Sequence, residues 1–178
     1  MRIIAGTLGG RLFESPHGFR THPMSEKIRG AIFNALGDIE GLTVLDPFSG
    51  SGALCFEAMS RGAKSAMALD ADKGAYMAIQ KNIRELGLEG SVKASHIYAD
   101  SWSTRNQSQA FDLVLLDPPY DNVVLETAEK LALHTKPGGI AVFSLPPAAR
   151  IALSPKQFEL LKEKKYGDAT LAFYRRTD

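Results

Sequence analysis

Apolar residues along this chain recur in two rhythms that take turns. Over residues 25–36, Ile28, Ala31, Ile32, Ala35 and Leu36 fall at i, i+3, i+4, i+7 and i+8, which predicts an amphipathic helix. Ser25 after Pro23 supplies its N-cap, and Gly37 closes it. From Thr43 onward, short apolar runs alternate with helical spacing. Strands are predicted over Thr43–Asp46, Ser65–Asp70, Ser91–Tyr98 (less apolar, ending at Asp100), Phe111–Leu116 and Ile140–Leu145. The helices between them are Ser51–Arg61, Lys73–Leu86 (Tyr76, Ile79, Ile83 and Leu86 on one face, Gly87 at the end), and one marked by Val124, Ala128, Leu131 and Ala132. The last stops at Lys136-Pro137-Gly138-Gly139. This alternation predicts an α/β fold: a mostly parallel sheet with helices on both faces.

The two ends read differently. Residues 1–24 form an extension ahead of a domain spanning 25–178; Arg2–Ala5 and Arg11–Phe13 could pair there as short strands around Gly6, Gly9 and Gly10. Phe158–Lys165 suits helix or strand, Gly167-Asp168 signals a turn, and Thr170–Tyr174 reads as a strand.

Composition adds limits. With 178 residues, 44% hydrophobic and 23% charged, the chain can bury one sizeable core. No apolar run approaches the ~20 residues of a membrane span, and the start lacks a secretory apolar stretch. The single cysteine, Cys55, suits a reducing cytoplasm. A net charge of +1 does not mark a nucleic-acid binder. The first thirty residues are nevertheless cationic: Arg2, Arg11, Arg20, Lys27 and Arg29, with His17 and His22, stand against Glu14 and Glu26. They read either as an arm for phosphates or as an incidentally charged, solvated segment.

Candidate chemistry gathers where strands end. The run Phe111–Leu116 stops at Asp117-Pro118-Pro119-Tyr120, whose prolines stiffen the backbone. Asp117 and the Pro118 carbonyl can accept hydrogen bonds and the Tyr120 ring can stack, which suits an amino group on a planar ring; a stiffened loop with a capping Asp is the plainer alternative. Asp46-Pro47-Phe48-Ser49-Gly50-Ser51-Gly52 joins the first strand to its helix, and its glycines allow a sharp turn and close approach to a ligand. Asp70 ends the second strand at the spacing where an acid binds ribose hydroxyls. A dinucleotide fingerprint needs a third glycine where Cys55 stands; that, and the acid Asp46, weaken NAD and favour a ligand with an amino-acid moiety. Asp100 is either an acceptor for an adenine amine or a turn residue. Cys55 reads as packing among Leu54, Phe56 and Ala58, and the four histidines lack metal-ligand spacing.

Together these motifs resemble those of class I S-adenosylmethionine-dependent methyltransferases. Arg2-Ile3-Ile4-Ala5-Gly6, Glu26–Asn34, Gly50–Leu54 and Glu57–Ala63 more closely resemble the RsmD family, guanine-N2 methyltransferases of 16S ribosomal RNA; the alternatives are methylation of adenine N6 or another exocyclic or amide nitrogen in DNA, RNA or protein, and a non-catalytic RNA assembly factor. That resemblance implies a Rossmann-like, mostly parallel seven-stranded sheet with a closing antiparallel hairpin, which decides the tail in favour of strands. It implies S-adenosylmethionine as cofactor, with Asp46, Phe48, Gly50 and Gly52 around the methionine part, Asp70 and Ala71 at the ribose, and Asp100 and Ser101 at the adenine. Asp117, Pro118, Pro119 and Tyr120 would hold the target base. The implied partner is small-subunit ribosomal RNA or a partly assembled subunit, met in the cytoplasm by a monomer. His22-Pro23-Met24 stands where the family usually has Arg-Pro-Thr, and the arm is less basic than usual.

Overall fold

The computed structural model describes residues 1–16, 24–120 and 124–178. Twelve elements follow in the order α1 (Glu26–Leu36), β1 (Thr43–Asp46), α2 (Ala53–Ser60), β2 (Ser65–Asp70), α3 (Lys73–Leu86), β3 (Val92–His96), α4 (Ala99–Arg105), β4 (Phe111–Leu116), α5 (Leu125–Ala132), β5 (Thr135–Leu145), β6 (Phe158–Tyr166) and β7 (Ala169–Arg176). The strands form one seven-stranded sheet in the order β3-β2-β1-β4-β5-β7-β6, parallel except where β7 runs against β5 and β6. After β3 the chain crosses to the other side of β1 and lays down β4. In open α/β sheets, such a switch point opens a crevice at the carboxyl ends of the strands.

From Leu113 to Leu116, strand β4 is continuously apolar because both of its faces are covered there. Leu113 and Leu115 pack with Val44, Val142, Ile32, Phe33 and Phe56 on the face that holds α1, α2 and α3. Val114 and Leu116 pack with Leu45, Phe143, Leu131 and Trp102 on the face that holds α4 and α5. Ser25 caps α1 by accepting from the Ile28 amide at 3.2 Å, and Gly37 ends that helix with φ +74°.

Two boundaries depart from expectation. The third strand stops at His96, and a helix not anticipated, α4, begins at Ala99, so Asp100 lies in a first helical turn rather than at a strand end. An acid there is favoured by the helix dipole. Strand β5 starts at Thr135 instead of Ile140; the Pro-Gly-Gly stretch is absorbed as a bulge opposite Phe111–Leu113.

The extension is part of the same core. Arg2 and Leu12 make an antiparallel bridge, the pairing expected, while Ile3 and Phe13 are buried, Phe13 edge-on to Phe56 at 5.3 Å. The amides of Ile4 and Ala5 donate to the buried carboxylate of Glu57 at 2.8 and 3.2 Å. Gly6 turns beneath α2 with φ +85°; a Cβ there would stand 1.8 Å from the Ser60 carbonyl oxygen, so only glycine fits.

Candidate active site

Asp46, at the end of β1, and Asp117, just past the end of β4, meet at the switch point because their strands are hydrogen-bonded neighbours. Asp46 is buried, and among the described residues no group meets either of its carboxylate oxygens in good hydrogen-bond geometry, although the Phe48 and Cys55 amides face it. Burial, then the charges of Asp117 and Asp70, push its pKa up to about 8, against the pull of the Phe48 and Cys55 amides. An unsatisfied buried carboxylate is costly. It fits a cationic group delivered into the crevice, such as the ammonium of a bound amino-acid moiety.

The turn after Asp46 is held from within. The Ser49 hydroxyl donates to the Asp46 carbonyl at 2.7 Å, and the Ser49 amide to the Leu69 carbonyl at 3.0 Å. Gly52 precedes α2 at φ +81°, and a Cβ on it would lie 2.5 Å from the Phe56 ring, so only glycine fits this turn. Asp70, at the end of β2, accepts from the Gly50 amide at 2.7 Å and from the Asp72 amide at 2.8 Å. Burial raises its pKa, opposed mainly by those two amides. It therefore ties the glycine turn to the neighbouring strand end while remaining partly open to solvent, where ribose hydroxyls can reach it. Phe48 is half-buried beside this turn, and the carbonyl of the exposed Ala71 lies 2.9 Å from His96 Nε2. These groups fit the methionine and ribose parts of S-adenosylmethionine.

Asp117 is partly buried, and burial drives its pKa up to about 6 against the opposing effect of the Ser144 hydroxyl. Ser144, on β5, is buried and hydrogen-bonds the Tyr120 hydroxyl at 3.0 Å. One serine thus faces both ends of the Asp117-Pro118-Pro119-Tyr120 segment. Pro118 is buried whereas Pro119 and Tyr120 are exposed, so the segment presents an acceptor and an aromatic ring at the rim. Ser144 carries no signal in the sequence: it sits in an ordinary apolar strand, and only the β4–β5 pairing brings it here.

Asp100 and Ser101 stand in the first turn of α4, just past the end of β3. The carboxylate of Asp100 is engaged by Lys130 of α5 at 2.6 Å, and Ser101 is half-buried in the same short helix. Tyr98, 71% exposed, stands at the turn where a strand-end acid was expected. Three of the N-terminal cations have partners within the chain. Arg29 is fully buried, 3.6 Å from Glu57 and hydrogen-bonded to the Arg2 carbonyl at 2.6 Å. Arg2 pairs with Glu26 at 2.8 Å. Arg11 donates to the carbonyl of Glu85 at 2.6 Å at the C-terminus of α3. Lys27 is exposed, and Arg20, with His17, His22 and Pro23, lies outside the described residues. Cys55 is fully buried in the core, as its apolar neighbours indicated.

Among the described residues no helix is long and apolar enough to cross a membrane. The family described as conserved hypothetical protein 95 matches residues 1–175. Ribosomal RNA small subunit methyltransferase D of Haemophilus influenzae is 32% identical over 182 residues, covering 98% of this chain and 93% of its own. The Escherichia coli protein of that name is 29% identical, with 99% and 90% covered. A solved structure described as a putative methyltransferase of Escherichia coli superposes with a TM-score of 0.84 at 27% identity, covering 99% of this chain and 98% of its own. A putative methylase of Haemophilus influenzae does so at 0.82 and 29%, with the same coverage. With both strand-end acids, the glycine turn and the closing hairpin inside the matched span, the chain belongs to the RsmD family of methyltransferases.

Proposed function

We propose that this enzyme transfers a methyl group from S-adenosylmethionine to the exocyclic N2 amine of a guanine in small-subunit ribosomal RNA. It does so in the cytoplasm, as a monomer acting on a partly assembled subunit. The observation that carries the reading is the meeting of a buried, unpartnered Asp46 with Asp117 at the ends of adjoining strands. The first suits the cationic end of the cofactor, the second an amine on the base.

When bound, S-adenosylmethionine supplies a methyl group already activated on a sulfonium. What remains for the chain is to orient a weak nucleophile, because the lone pair of an aromatic amine is delocalised into its ring. Asp117 accepts one amine N–H and the Pro118 carbonyl the other, which favours a pyramidal nitrogen and aims its lone pair. Tyr120, fixed by Ser144, offers its ring to the base and replaces stacking lost on leaving the RNA. N2, having gained the methyl group and left a neutral thioether behind, would hold one proton too many. Asp117, with a pKa near 6, accepts that proton. Positioning and electrostatics supply the acceleration; no covalent enzyme intermediate forms.

The test is incubation with radiolabelled S-adenosylmethionine and small subunits from cells lacking the gene, followed by digestion of the RNA to nucleosides. Label is expected in N2-methylguanosine, and Asp117→Ala is expected to abolish it while cofactor affinity falls only modestly. Label in N6-methyladenosine, or only in protein, would overturn the substrate assignment. A fully active Asp117→Ala would overturn the mechanism.

A further inference from the structure

Beside the rim, α1 and β6 enclose a groove of about 380 Å³ lined by Glu26, Lys27, Gly30, Ala31, Asn34, Ala35, Lys162 and Tyr166. Its floor is low because α1 turns Gly30, Ala31 and Ala35 toward it. Lys27 and Lys162 stand on opposite walls, both exposed and neither in an ion pair among the described residues. Alternation along β6 sets Lys164 on the same face as Lys162 and Tyr166, with its ammonium 5.1 Å from the Tyr166 ring. Glu26, the one acid of the lining, is engaged by Arg2 at 2.8 Å. The groove is therefore a cationic trough with a small-residue floor, shaped for an anionic strand rather than an apolar partner.

Its position ties it to the reaction. Strand β6 lies two strands from β5, and Ser144 sits opposite Leu171 of β7, which in turn sits opposite Lys164. Two strand spacings amount to about 10 Å. The Gly167-Asp168 turn that follows Tyr166 comes close enough for the Asp168 charge to raise the Tyr120 pKa, after burial and Asp117. We propose that this groove holds the phosphodiester backbone of single-stranded RNA adjoining the target nucleotide, with Lys27 and Lys162 as its phosphate ligands. The assignment rests on the RNA reading above and places an RNA contact at the seam between α1 and the C-terminal hairpin, beside an N-terminal arm whose Arg2 and Arg11 are engaged by Glu26 and by the Glu85 carbonyl.

The experiment compares the full-length wild type with Lys27→Ala/Lys162→Ala and with Lys64→Ala, a control that removes one exposed charge just ahead of β2, toward the other edge of the sheet. Methylation of unmodified small subunits is followed as KM and kcat, and RNA binding is measured across a series of salt concentrations. The double variant is expected to raise KM about tenfold at ordinary salt, to leave kcat within about twofold, and to flatten the slope of log K against log salt by about 1.4, two phosphates on a single strand. Lys64→Ala keeps the wild-type slope. Unchanged salt slope and KM in the double variant, with RNA still methylated, overturn the groove alone. If the wild type methylates no RNA but binds an acidic protein segment through these lysines, both the groove assignment and the RNA reading fall.

Discussion

Methyl transfer by this enzyme is expected to fall about tenfold between pH 7 and pH 5, and replacing Ser144 by alanine should move that fall to higher pH. In the proposed mechanism only an ionised Asp117 can both accept from the amine and take its proton. With its pKa pushed up to about 6 by burial, the carboxylate is about nine-tenths ionised at pH 7 and about one-tenth at pH 5. The Ser144 hydroxyl works against that rise, so its removal lets the pKa climb further. A hydrogen bond worth about 0.5–1.5 kcal/mol corresponds to about 0.5–1 pH unit. Asp46 faces Asp117 from β1 but, with its own pKa pushed up to about 8, is mostly uncharged between pH 5 and 7 in the ligand-free protein, so burial is what raises Asp117. At pH 8 the Ser144→Ala deficit should shrink to what the lost tie to Tyr120 contributes, about two- to fivefold. The assay is single-turnover methylation at saturating cofactor from pH 5 to 8.5, with Tyr120→Phe as the partner variant. Tyr120→Phe cuts the same tie and should reproduce the pH 8 deficit with a smaller movement of the acid limb. A wild-type rate flat from pH 5 to 8, or superimposable wild-type and Ser144→Ala profiles, would refute the reasoning.

Asp46→Asn should stabilise the ligand-free protein while weakening cofactor binding. A carboxyl whose folded pKa is raised to about 8 costs stability progressively as pH rises from the unfolded value near 3.8 and reaches its full cost above 8; melting temperatures should therefore diverge over that window and run parallel beyond it. Equal melting curves at pH 8 would contradict the account of Asp46 as an unsatisfied acid. Glu57→Ala removes the acceptor for the Ile4 and Ala5 amides and strands the buried Arg29 charge, so a loss of about 3–5 kcal/mol is expected in denaturant unfolding. Hydrogen exchange at those two amides should rise with it, and unchanged protection would mean that the arm is held by Ile3 and Phe13 alone.

Much of this architecture was legible because the governing signals are local. The repeat from Ile28 to Leu36, the stop at Gly37 and the β-branched or leucine-rich runs ending in Asp46, Asp70 and Asp117 each declare an element within a few residues. The strand-end acids were legible as a group because alternation places every parallel strand's carboxyl end on one rim. What failed was contextual. Asp100 resembled a strand-end acid, yet Ala99–Arg105 forms a helix whose polar sequence has no apolar stripe, held by Trp102 and by Ser103 bonding His134 at 2.8 Å. Arg29 looked like one more surface cation, because nothing in α1 announces that Glu57, 28 positions on, lies across from it. Ser144 was invisible for the same reason: its partners come from the neighbouring strand end.

Cys55 makes the molecule its own reporter. As the single cysteine, fully enclosed behind the glycine turn and with its thiol pushed well above the ordinary range by burial and then by Asp46, it offers almost no thiolate to solvent while the fold is closed. Reagents can reach it only through openings large enough to lift α2 from the sheet, so its labelling rate counts such openings one molecule at a time. The same helix follows the glycine turn proposed to face the cofactor and carries the Glu57 that grips the arm. Ligand that binds only the closed form slows labelling by the factor 1 + [L]/Kd. Affinity at the methyl-donor pocket can thus be timed with a thiol reagent on the unmodified protein, and a cysteine placed anywhere on the surface becomes a unique handle for a probe.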